Sequence, residues 1–147
     1  MPNQHADRQR KIKDAVYGSH TLLSAPLLIG GDLTKLDAFT LNLLTNDEVI
    51  AVDQGALGKQ ATRIAVYGDG EIWAKEMEDG SRVVGLFNRG IATRRVAVAW
   101  TEMHLSGAQV VHDLWRQKDN GTYADRFESG VPPHGVVLIA LRDPKKR

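Results

Sequence analysis

The chain is predicted to be mainly β, an antiparallel β-sandwich preceded by a strand-helix unit, and three observations carry that expectation. From about Ala61 to Arg142 apolar and polar residues alternate, the period of strands half covered by a core. Turn signals built from Gly, Asn, Asp and Pro interrupt this stretch at short, fairly regular intervals, as antiparallel sandwiches require. Ahead of it, Ala25-Pro26-Leu27-Leu28-Ile29 is an unbroken apolar run closed by Gly30-Gly31, which reads as a strand covered on both faces, the kind found in parallel sheets.

Taken in order, residues 1–22 open with a polar stretch that has no clear hydrophobic period, and a poorly ordered or helical segment is expected there. Residues 23–60 hold the apolar run and two short helices. Asp37 is placed to cap the first helix, with Leu36 and Leu41 as a hydrophobic staple. Asn46 is placed to cap the second, where Asp47 and Glu48 put negative charge at the positive end of the helix dipole and Val49, Ile50 and Ala51 supply the buried side. Strand, loop and helix make half of a βα repeat. Residues 61–143 form the sandwich, with strands expected at Arg63–Tyr67, Glu71–Met77, Arg82–Asn88, Arg94–Trp100, Gln109–Trp115, Thr122–Phe127 and His134–Arg142. Gly68-Asp69-Gly70, Asp79-Gly80 and Asn120-Gly121 are the hairpin turns between them, and Pro132-Pro133 closes the last loop. Val96, Val98 and Trp100 share one face of a half-exposed strand, whereas Val83–Phe87 and Val136–Leu141 are apolar on both faces and should be central. Residues 144–147 are a basic tail.

Composition narrows the function classes. With 147 residues, 19 Lys and Arg against 18 Asp and Glu, and a net charge of +1, the chain lacks the field that draws in nucleic acid. The absence of cysteine excludes disulfides and thiolate metal sites. No apolar stretch approaches the roughly 20 residues of a membrane helix, and no signal-like segment opens the chain, so a soluble protein without an address is expected, cytoplasmic if expressed as written.

Three blocks in fixed order then carry a resemblance: Ser24 to Leu33 (Ser-Ala-Pro-Leu-Leu-Ile-Gly-Gly-Asp-Leu), Leu43 to Gln54, and Leu57-Gly58-Lys59-Gln60. Further on stand Glu71-Ile72-Trp73-Ala74, Phe87-Asn88-Arg89, Asp113-Leu114-Trp115 and Pro133 to Leu138. Together they resemble the end of the catalytic barrel and the carboxy-terminal sandwich of α-galactosidases (melibiases) of glycoside hydrolase family 27. The resemblance implies that residues 23–60 are the last βα unit of a (β/α)₈ barrel. It also implies a parent enzyme that removes terminal α-linked galactose with retention, and Leu23 as a substrate-binding position beneath the sugar. It supplies no catalytic residue here. The family's two aspartates lie in Lys-Tyr-Asp and Asp-Pro-Asp motifs, and neither occurs in the chain. An inactive fragment follows, with no metal or cofactor, and with self-association through the uncovered barrel strand.

A free-standing sandwich that binds carbohydrate or a protein partner is the rival reading. Trp73, Trp100 and Trp115 could form its sugar platform, although core packing is the commoner use of such residues. His104, His112 and His134 have no metal-ligand spacing, and Gly68-Asp69-Gly70 lacks the further glycine and helix of a phosphate loop. Asp32, Asp37, Asp47 and Asp53 cluster in sequence, but helix starts account for Asp37 and Asp47. Ser19-His20 is not set in a nucleophile elbow.

Overall fold

The computed structural model describes residues 18–19, 21–24 and 32–146. The run Ala25–Ile29, His20 and most of the polar leader lie outside the described residues. Gly18, Ser19, Thr21 and Leu22 are helical. Helix α1 (Ala38–Leu44) starts where Asp37 accepts a hydrogen bond from the Thr40 amide at 2.7 Å, and α2 (Asp47–Asp53) where Asn46 accepts from the Val49 amide at 3.2 Å. Both caps sit where the sequence puts them. The buried side of α2 differs: Val49 and Val52 face inward, three residues apart as one helical turn requires, while Ala51 is exposed. Leu41, the expected staple residue, stays 48% exposed.

Eight strands follow among the described residues: β1 (Thr62–Tyr67), β2 (Gly70–Glu76), β3 (Arg82–Asn88), β4 (Arg94–Ala99), β5 (Gln109–Asp113), β6 (Lys118–Tyr123), β7 (Arg126–Val131) and β8 (Val136–Arg142). Every pairing is antiparallel. One sheet runs β1-β2-β3-β8-β5-β6, and β4 pairs with β7 in a second. The seven expected segments become eight because Thr122–Phe127 straddles the bend between β6 and β7. Asn120-Gly121 is not the hairpin turn. Gly121 lies inside β6 with φ 121°, beside the irregularity where Val111 and His112 shift register. The turn falls instead at residues 114–117, where the Asp113 carboxylate accepts from the Trp115 and Arg116 amides at 2.9 and 3.0 Å and Gln117 takes the left-handed conformation. Trp100 leaves β4 to begin a 3₁₀ turn, Trp100–Met103, which Glu102 fastens by accepting from the Ala99 amide at 2.7 Å. His134 likewise belongs to the turn before β8, with φ 53°.

The larger sheet is the middle of three layers. Val84, Leu86, Ile139 and Leu141 pack with Val96, Val98, Trp100 and Phe127 of the β4–β7 side. Val83 and Leu138, on the opposite face, pack with Leu22, Val49 and Val52. The two central strands β3 and β8 are therefore apolar on both sides, as their sequences require, and each aliphatic side chain fully buried there contributes roughly 1.5–3 kcal/mol. Gly85 admits Leu22: a Cβ at that position would lie 2.5 Å from Leu22 Cδ1 and 2.7 Å from Phe87 Cε2.

Asn88, 2% exposed at the end of β3, joins the sheets. Its amide nitrogen donates to the Ala92 carbonyl at 2.7 Å and to the Val131 carbonyl of β7 at 2.9 Å, and its oxygen accepts from the Gly90 amide at 2.9 Å. Replacing it leaves buried carbonyls without donors. Asn88→Ala is expected to lower stability in urea by about 1–3 kcal/mol with an unchanged denaturant slope.

Candidate functional site

The face of the six-stranded sheet turned away from β4–β7 is where the helical segment docks, and polar side chains fasten it there. Lys75 of β2, with Trp73 and Glu71 two and four residues before it, points to this face by the strand period. It is 2% exposed, and its ammonium donates to Ser24 Oγ at 2.6 Å and to the Val52 carbonyl at 2.5 Å. The last carbonyls of α2 have no partners within the helix and carry the negative end of its dipole, so a cation there is favoured. Burial pulls the Lys75 pKa below its ordinary value, an effect that the Asp53 carboxylate only partly offsets.

Four further links tie the helices to the sheet. The Ala61 amide donates to the Leu22 carbonyl at 2.8 Å. Asn46, while capping α2, donates to the Leu114 carbonyl at 2.8 Å, and Gln117 donates to Asp47 at 2.7 Å. His112 of β5 lies between two carboxylates, with Nε2 2.7 Å from Glu48 of α2 and Nδ1 2.6 Å from Asp119 of β6. Burial lowers its pKa, but the hydrogen bonds and charges of Asp119 and Glu48 outweigh that and raise it. Asp119 is held low by the same imidazole and by Arg142, 2.7 Å away. At the other end of the face, Arg89 forks onto Glu71 at 2.8 and 3.1 Å, and Trp73 Nε1 donates to the same carboxylate at 3.0 Å.

The residues singled out by sequence separate accordingly. Leu23 follows the buried Leu22 and is 36% exposed. Trp100 is core, and its Nε1 donates to the Tyr123 carbonyl at 3.1 Å. Trp73 and Trp115 are half-buried against the helix-side cluster. His104 and His134 occupy exposed left-handed turn positions. Asp32 accepts from the Thr34 amide at 3.0 Å, giving it a cap like that of Asp37. Among the described residues no three of His, Asp and Glu are grouped to hold a metal, and no helix is long and apolar enough to cross a membrane. Lys75 escaped the sequence reading. Its signal was a lysine at an inward position of an alternating strand.

Fold and site together define an antiparallel β-sandwich that grips a helical segment on one face. The model of the α-galactosidase C-terminal β-sandwich domain matches residues 67–141. A probable α-galactosidase from Dictyostelium discoideum is 37% identical over 140 residues, which cover 88% of this chain and 36% of that protein. The crystal structure of α-galactosidase I from Mortierella vinacea superposes with a TM-score of 0.87 at 30% identity, covering 91% of this chain and 36% of that one. A family 27 β-L-arabinopyranosidase from Geobacillus stearothermophilus gives a TM-score of 0.88 at 25% identity, over 94% and 31%. The chain belongs to the α-galactosidase family, as its carboxy-terminal portion, and spans about a third of the length of the relatives it matches.

The His112 links set a pH dependence with a definite sign. A histidine raised above its ordinary 6.5 gives stability that is fully present below that value and lost as pH rises through the folded-state pKa. The charged groups around it are Glu48, Asp119 and, through Asp119, Arg142. Thermal melting across this range is expected to show wild type losing its advantage over His112→Gln as pH rises; a parallel pair of curves would remove the links.

Proposed function

We propose that this chain is the carboxy-terminal part of an enzyme that hydrolyses terminal α-linked galactose with retention, that its sandwich buttresses the barrel, and that it is inert alone. In this reading residues 23–60 are the last βα unit of the barrel and residues 61–143 the sandwich. The observation that carries it is the family membership of a chain that contains neither aspartate motif. Retaining hydrolysis needs two carboxyl groups roughly 5–5.5 Å apart on either side of the scissile bond. The acids that cluster in sequence have structural neighbours: Asp32 and Asp37 cap helical turns, Asp47 accepts from Gln117, and the charge of Asp53 acts on the Lys75 ammonium. Leu23 would contribute to the sugar floor of the parent, a role supported by its exposure next to Ser24, which Lys75 holds. Without a barrel to cover it, the apolar block Ala25 to Ile29 would drive self-association of the isolated chain.

An α-galactosidase and a β-L-arabinopyranosidase both stand among the similar structures, so substrate choice would rest with residues of the parent outside this segment. The purified chain is expected to release no nitrophenol from a nitrophenyl α-galactoside above the buffer blank. Release that disappears on replacing a single aspartate would overturn the proposal.

A further inference from the structure

A cleft of about 510 Å³ opens where α1 meets the β5–β6 turn, inside the 300–1,000 Å³ range of small-molecule sites. Its walls include two half-buried aromatic side chains, Phe39 of α1 and Trp115 of the turn. Asn42 stands one helical turn beyond Phe39, on the same face of α1, and Asn120 faces the cleft from β6. Both asparagines are exposed, and neither side-chain amide has a hydrogen-bond partner among the described residues. The charged residues of the lining are Asp113 and Arg116, opposite in sign and 3.9 Å apart.

That combination selects a ligand class. A lining whose two charges cancel offers nothing to an anion or a cation. Free planar amides, each with two donors and an acceptor, suit vicinal hydroxyl groups, while an aromatic ring suits the C–H face of a pyranose. Two other clefts among the described residues are unlike it. The one beside His112 is lined by Glu48 and Arg142, which already hold partners, and the one beside Arg94 and Arg126 carries unbalanced positive charge. We infer that the cleft between α1 and the β5–β6 turn binds a neutral saccharide of one or two pyranose rings, with Trp115 and Phe39 as the stacking walls and Asn42 and Asn120 as the hydroxyl readers. Such binding would stand if the parent were not a galactosidase, and hydrolysis and binding are read by different assays.

The test is titration of the whole chain with melibiose and with galactose, followed by tryptophan fluorescence and by amide chemical shifts. Saturable binding with a dissociation constant on the order of millimolar is expected, with shifts centred on Asn42, Trp115 and Asn120. The Asn42→Ala, Asn120→Ala double variant should weaken binding about five- to tenfold at an unchanged melting temperature, since neither amide holds the fold. Trp115→Phe should retain binding, which keeps the ring's part testable even if Trp115→Ala unfolds. Absence of saturation with both sugars, shifts centred elsewhere, or undiminished affinity in the double variant would each overturn the inference.

Discussion

The pairing of β3 with β8 is the constraint from which the rest of the structure follows. Both strands carry aliphatic side chains on successive residues, so both faces of the sheet they centre must be kept from water. One face is covered by the ribbon of β4 and β7, whose inward residues Val96, Val98, Phe127 and Val131 are almost fully buried. The other cannot be covered by strands, because the remaining ones extend the same sheet at its edges. Leu22 and α2 close it, and Gly85 leaves the space that Leu22 enters.

Apolar contact explains why the helical segment docks, and polar contact explains where. Lys75, Asn46, Gln117 and His112 each reach from one layer to a backbone or side-chain group of the other. Such bonds add modest net stability, but losing those of the buried Lys75 and Asn46 costs the full desolvation of a buried group if the register slips. They therefore fix α2 in one position on the sheet.

Much of this was legible in sequence, and the reasons it was not legible elsewhere are physical. Apolar strand-like segments set off by turn signals located β1 to β4 within a residue or two, and the Asp37 and Asn46 caps identified both helix starts. Apolar runs on both faces identified β3 and β8 as central. The β5–β6 hairpin was misread because Asn120-Gly121 has the composition of a turn, yet Gly121 serves an irregular strand while Gln117, a residue with no turn preference, takes the left-handed position. β7 was hidden because Ser129 occupies an inward position between Phe127 and Val131 and breaks the apolar alternation. The cleft-lining pair Phe39 and Trp115 could not be found from sequence, since 76 positions separate them and only the docking of α1 brings them together.

The central claim is that the doubly buried sheet depends on the segment laid over it. Hydrogen exchange of the Leu22→Ala variant tests this most directly, because that side chain is buried against Gly85 beside Phe87 and its loss should cost roughly 2–5 kcal/mol. The account predicts that amides of β3 and β8 exchange faster together with those of α2. Acceleration confined to residues 18–24, with β3 and β8 as protected as before, would contradict it.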